Sequence, residues 1–248
     1  MGHSFIECTN VSFSYESGRE VLKNISFHGD KQEAIGIIGA NGVGKSTLLR
    51  ILVGLELNFT GEVMVDRVPV TKKTLPQIRS KIGYLFQDSE NQLFMQNVYQ
   101  DVAFALRNYG LKDAEVEKRV NAALETIGIT HLREKQIYKM SGGEKKLASI
   151  ATILAMEPGV LLMDEPTIAL DPQNRRTLIH LLNQLDYIKI IASHDLDMIL
   201  ETCDRVILMK DGMIVEEGLP EQILRNEKLL EDCHLELPLC FRGYRGRI

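Results

Sequence analysis

The run Gly39-Ala40-Asn41-Gly42-Val43-Gly44-Lys45-Ser46-Thr47 constrains this chain more than any other feature. It has the spacing G-x-x-x-x-G-K-[ST] and stands between an apolar, strand-like segment (Ala34 to Ile38) and a segment of helical periodicity. Glycines let backbone N–H groups turn inward around a polyphosphate, and the start of a helix adds the positive end of its dipole. In such a loop Lys45 reaches the β- and γ-phosphates, and the Ser46 hydroxyl ligates Mg²⁺.

Around this loop the first third of the chain reads as short strands: Phe5 to Tyr15, Glu33 to Ile38, Gly61 to Val65 and Ile82 to Phe86. Ser17-Gly18 and His28-Gly29-Asp30 are expected turns. A helix from Lys45-Ser46 to near Gly54 carries Leu48, Leu49, Ile51 and Leu52 inward. From about Asn97 to Met156 the pattern is helical. Val116, Val120, Ala123, Leu124 and Ile127 share one stripe, and Leu147, Ile150, Ala151, Leu154 and Ala155 another. Val160 to Met163, Ile188 to Ala192 and Val206 to Met209 are continuous apolar runs typical of strands buried on both faces. A helix from Pro172 carries Leu178, Leu181, Leu182 and Leu185. The expectation is a parallel α/β core with an antiparallel β flank and a helical subdomain inserted at about 90–157. One domain spans 1–233, and 234–248 is a solvated tail with Arg242, Arg245 and Arg247.

The formal charge of -5 argues against a nucleic-acid partner. No apolar run approaches the roughly 18 residues that span a bilayer, and the start Met1 to Cys8 lacks the pattern of a signal peptide. The expected place is the cytosol, or a membrane surface reached through partners. Cys8, Cys203, Cys233 and Cys240 have no metal-ligand spacing and read as small buried hydrophobes in a reducing compartment.

Val160-Leu161-Leu162-Met163-Asp164-Glu165-Pro166 delivers two carboxylates at the end of a buried strand, where ligands of open α/β sheets bind. Asp164 suits the Mg²⁺ shell, and Glu165 is placed to polarise an attacking water. In Met140-Ser141-Gly142-Gly143-Glu144, Ser141 and Glu144 form an S-x-x-E capping box. Two glycines inside that helix start cost about 1 kcal/mol each relative to alanine. That cost suggests a close approach by a phosphate, and the loop at Gly39 already supplies this chain's own cradle. A second anion site therefore faces another subunit's nucleotide.

With these motifs the chain resembles the nucleotide-binding subunits of ABC transporters along nearly its whole length. The resemblance implies a P-loop NTPase (RecA-like) core, ATP and Mg²⁺ as ligands, and ATP hydrolysis by two subunits closed head-to-tail. It also implies roles for single residues. Ser141, Gly142 and Gly143 close over the partner's γ-phosphate, and Glu144 replaces the commoner glutamine. Tyr15 either stacks on adenine or is an ordinary strand tyrosine. Gln87 touches Mg²⁺ and water and joins the core to the helical subdomain. Asp171 crosses the dimer interface, caps a helix before Pro172, or does both. His194 contacts the γ-phosphate. Gly39, Gln87, Asp164, Glu165 and His194 all follow strands, so one sheet edge is expected to collect them.

Gln87-Asp88-Ser89-Glu90-Asn91-Gln92-Leu93-Phe94, followed by Asp101-Val102-Ala103-Phe104, looks like the ATPase subunits of energy-coupling factor importers. The Gln-Leu-Phe form is similar to the cobalt/nickel type more than to the vitamin type. That resemblance implies a second ATPase subunit, identical or not, a transmembrane coupling subunit and a substrate-binding membrane component. It places the chain at the cytoplasmic face of the membrane. Phe94, Met95 and Phe104 then either line the groove for a membrane-subunit helix or belong to the subdomain core. A soluble ABC ATPase acting as an assembly factor would share every ATP motif.

Overall fold

The computed structural model describes residues 5–16 and 18–242. Ser17 of the expected turn, and Arg245 and Arg247 of the expected tail, lie outside the described residues. The chain divides into two compact units, one of residues 1–79 with 187–248 and one of residues 80–186.

The first unit holds two β systems. β1 (Ile6–Ser14), β2 (Glu20–Gly29), β4 (Phe59–Val65) and β5 (Val68–Pro69) form an antiparallel sheet in the order β2-β1-β4-β5. β3 (Ala34–Ile38) lies between β8 (Ile188–Ala192) and β9 (Arg205–Lys210), parallel to both. β10 (Met213–Gly218) pairs antiparallel with β9. Every residue of β3 and β8 is buried, as continuous apolar runs in parallel strands require. The helices of this unit are α1 (Lys45–Leu52), α2 (Leu75–Arg79), α7 (Leu196–Thr202), α8 (Pro220–Leu224) and α9 (Glu227–Asp232). In α1 the side chains of Leu48, Leu49, Ile51 and Leu52 are fully buried, and the chain leaves it through Gly54 at φ 69°.

In the second unit β6 (Ile82–Leu85) and β7 (Val160–Asp164) pair in parallel. Helices α3 (Val98–Asn108), α4 (Asp113–Ile127) and α5 (Gly142–Leu154) pack on one another, and α6 (Pro172–Gln184) follows β7. The five apolar residues of the α4 stripe are all buried. Asn97 caps α3 by accepting the Gln100 N–H at 2.9 Å, and Gly128 closes α4 in the left-handed conformation. Among the described residues no helix is long and apolar enough to cross a membrane.

Four local expectations are corrected. Residues 20–29 form a strand that none of the expected strands covered, and His28 and Gly29 belong to it rather than to a turn; the turn lies at 30–33, closed by Glu33 N–H donating to the Asp30 carbonyl at 3.3 Å. The alternation of β2 is broken by register shifts against β1, with Asn10 and Asn24 at φ 51° and 53°, which hides its period of two. Leu185 falls outside α6 in an extended conformation. Cys240 is exposed, unlike the other three cysteines. Residues 234–242 are held rather than simply solvated: Asp197 of α7 accepts the N–H groups of Leu239 at 2.9 Å and Cys240 at 3.0 Å.

Candidate nucleotide site

The phosphate loop is built by the first unit, between the end of β3 and the start of α1. Gly39, Gly42 and Gly44 sit at φ 149°, 78° and 112°, where L side chains are strained. Space adds a second demand, since a Cβ on Gly39 would lie 2.4 Å from the Met209 carbonyl oxygen. No side chain caps α1 and no acidic residue stands in its first turn, so the positive end of the helix faces the loop without an anionic rival in that turn. Lys45 is buried, and its ammonium donates to the carbonyls of Gly39 at 2.7 Å and Ala40 at 3.2 Å. Asn41 and Gly42 are exposed, and Ala40, Val43 and Ser46 are half-buried. With Arg19 and Lys23 the loop residues Ala40 to Val43 line a cleft of about 350 Å³.

Tyr15 stands just past β1, and its hydroxyl lies 3.1 Å from Oγ1 of the buried Thr47. Its ring meets Phe13 edge-on at 4.8 Å. The unit thus brings Tyr15 to the phosphate loop while leaving the ring partly open to solvent. His194 follows β8 on an exposed bend, just before Asp195, which caps α7 by accepting the Met198 N–H at 3.0 Å.

The second unit carries the acids. Asp164 ends β7 at 2 % exposure, and Glu165 follows at 6 %. Glu165 has φ 49°, a left-handed conformation that costs about 1 kcal/mol or more for a residue with a Cβ. Gln87 lies exposed two residues past β6. Its carbonyl accepts from the Lys146 ammonium at 2.8 Å, and the same ammonium donates to Phe86 at 3.2 Å. Burial lowers the pKa of Lys146 to about 8, against the opposing pull of Asp164, Asp88 and Glu165.

Ser141 caps α5 with the full capping box: its hydroxyl accepts the Glu144 N–H at 3.3 Å, and the Glu144 carboxylate accepts the Ser141 N–H at 2.9 Å. The Lys135 ammonium donates to both Glu144 oxygens, at 2.8 and 2.9 Å. A Cβ on Gly142 would sit 3.4 Å from Ala169 Cβ, and one on Gly143 3.5 Å from the Ala169 carbonyl oxygen. These are ordinary contacts, so packing inside the chain does not require either glycine. Asp171 caps α6, accepting the Asn174 N–H at 2.9 Å and its side-chain amide at 2.7 Å. Those bonds hold its carboxyl below the ordinary range.

Lys146 was not singled out by the motifs, and Gln92 stood in the Gln-Leu-Phe run without a role of its own. A usable signal was present for the lysine: it stands four and seven residues before Ile150 and Ile153, and so on the buried face of α5.

Comparison with known proteins agrees with this assembly of motifs. The family model described as ABC transporter matches residues 22–168. The energy-coupling factor transporter ATP-binding protein EcfA3 of Clostridium perfringens is 37% identical over 239 residues, covering 94% of this chain and 84% of that protein. The structure of cbiO1 from Clostridium perfringens, described as part of the ABC transporter complex cbiONQ, superposes with a TM-score of 0.82 at 37% identity, over 92% of this chain and 94% of that one. A dimeric post-hydrolysis state of the ATP-binding cassette MJ0796, bound to ADP and Pi, superposes with a TM-score of 0.80 at 27% identity, over 87% and 98%. The fold and its motifs define an ATP-binding and ATP-hydrolysing cassette with a P-loop NTPase core. The chain belongs to the ABC transporter family.

Proposed function

We propose that this chain is one of two paired ATPase subunits that power an energy-coupling factor type importer for cobalt or nickel ions, at the cytoplasmic face of the cell membrane. ATP lies with its phosphates on Gly39 to Thr47 and its adenine against Tyr15. Lys45 offsets charge on the β- and γ-phosphates, Glu165 polarises the attacking water, and His194 and Gln87 orient the γ-phosphate and that water. Ser141, Gly142 and Gly143 close over the nucleotide of the companion subunit, identical or not, and Asp171 lies along that interface. Hydrolysis reopens the pair and moves the helical subdomain, about 90–157, with the coupling subunit and the substrate-binding component attached to it.

Among the described residues no three His, Cys, Asp or Glu side chains could hold a metal ion by themselves. Mg²⁺ in nucleotide sites keeps water and phosphate ligands and takes few from protein. The residues that would hold it, Ser46, Gln87 and Asp164, all offer oxygen donors. Bound with ATP, it would neutralise charge on the transferred phosphoryl group.

The importer reading rests on Phe94. The residue is 64 % exposed, its ring meets Phe104 edge-on at 4.8 Å, and it lines a cleft of about 540 Å³ with Leu93, Met95, Ile137 and Tyr138 and with the polar Glu90, Gln96, Gln136 and Lys145. Exposed aromatic groups in a surface cleft of mixed apolar and polar lining suit a partner, and the family resemblance supplies one, a helix of the membrane subunit. The solute assignment draws on the Gln-Leu-Phe segment and the likeness to cbiO1. Phe94→Glu should reduce copurification of the coupling subunit at least about tenfold, as loss of a central aromatic anchor does, and abolish cobalt uptake in reconstituted vesicles. Undiminished copurification would sink the docking assignment, and uptake of a vitamin with none of cobalt or nickel would sink the solute.

A further inference from the structure

The loop after β6 is fastened to α5 at three points. Lys146, 1 % exposed, donates to the Phe86 and Gln87 carbonyls at 3.2 and 2.8 Å. Gln92, at the other end of the loop, accepts the Phe86 N–H at 3.3 Å and donates to the Ser149 carbonyl and to Thr152 Oγ1, both at 2.8 Å. Lys145 and Glu90 add a more exposed ion pair at 2.7 Å. Burying an ammonium is unfavourable unless its charge and its donors are used. Here the donors go to the backbone that presents Gln87, and Asp164, Asp88 and Glu165 supply the opposing charge.

We propose that Lys146 is a positioning residue for ATP hydrolysis, locking the backbone of Gln87 to the first turns of the helix that Ser141 begins. The glutamine loop and the Ser-Gly-Gly turn then shift as one piece when nucleotide binds. Gln92 is the neutral half of the same clasp. This rests on the ATPase reading above and adds a residue that neither the motifs nor the family resemblance indicated. Lys146 acts through Gln87 and touches no nucleotide.

The test compares Lys146→Met, which keeps the length and removes charge and donors, with Lys146→Arg, which keeps both. Three quantities are read on the full chain: amide exchange of residues 86–94, Mg-ATP affinity by calorimetry, and kcat. Lys146→Met should raise exchange of that segment at least about tenfold and lower kcat at least about tenfold, a loss of about 1.4 kcal/mol in transition-state stabilisation. Affinity should stay within about twofold, and Lys146→Arg should recover most of both losses. Unchanged exchange, an unchanged kcat, or a loss confined to affinity would overturn the proposal. Should the Met variant fail to fold, Gln92→Leu opens the clasp from its other side and must give the same pattern. Glu165→Gln separates the two claims: if it hydrolyses ATP at the parent rate, the water-polarising role of Glu165 fails, while the exchange measurement still decides on Lys146.

Discussion

The carboxylate of Glu144 stands where the family motif commonly has glutamine, and its charge is accommodated locally. The hydrogen bond from Lys135 comes first, the Ser141 N–H second, and together they hold the carboxyl below its ordinary range. A carboxyl whose folded pKa is depressed contributes stability that is present above its unfolded pKa, about 4.3, and lost as pH falls through the folded value. The pair is partly exposed, at 35% and 27%, so screening keeps its worth small. Glu144→Gln keeps the cap and removes the ion pair. It should lower stability by about 0.5 kcal/mol at pH 7, read as a drop in thermal midpoint of one or two degrees. The gap should narrow at pH 3.5. An equal gap at both pH values would mean the pair contributes nothing. The cap was legible in the sequence because S-x-x-E is local. Lys135 was not, since it lies nine residues upstream and reaches Glu144 through its side chain alone.

At the level of elements, what was legible had a short-range cause. The phosphate loop with α1, the stripe of α4 and the apolar runs of β7, β8 and β9 each declare themselves within a dozen residues. β2 did not, because bulges interrupt its alternation. The segment after α9 did not either, because its anchor, Asp197, is 42 and 43 residues away from the amides it holds. Burial works to raise the Asp197 carboxyl, and the amides of Cys240 and Leu239 outweigh it and hold the carboxyl below its ordinary range. The Cys240 thiol, exposed overall, is by contrast raised first by the partial loss of water around its sulfur and second by Asp197. Asp197→Ala should therefore free the segment and lower the thiol pKa together. Alkylation of Cys240 by a maleimide at pH 8 should speed up several-fold; an unchanged rate would show that Asp197 does not hold the segment. Cys8 and Cys203 are buried, with thiols pushed well above the ordinary range, and should stay silent in this assay.

For the whole molecule the chemistry is divided. The first unit carries the phosphate loop, Tyr15 and His194; the second carries Gln87, Asp164, Glu165 and the Ser-Gly-Gly turn. The sequence marked the phosphate loop, Asp164, Glu165 and the Ser-Gly-Gly turn by motifs at strand ends and a helix start, and Tyr15, Gln87 and His194 only through the family resemblance. It left out what supports them, Lys146 and Gln92 above all, since those contacts span 57 to 60 residues. Gly142 and Gly143 bear most directly on the paired motor. They weaken the start of α5 by about 1 kcal/mol each, and nothing packed on them inside the chain demands their smallness. A surface of this kind suits a phosphate brought by a second subunit. The most direct test is light scattering with size exclusion on Glu165→Gln, with and without Mg-ATP. In a paired motor Mg-ATP should double the mass, and Lys45→Ala or Ser141→Arg should abolish the doubling. A chain that binds ATP tightly yet never pairs, alone or with the membrane subunit and a companion ATPase added, would contradict the paired motor.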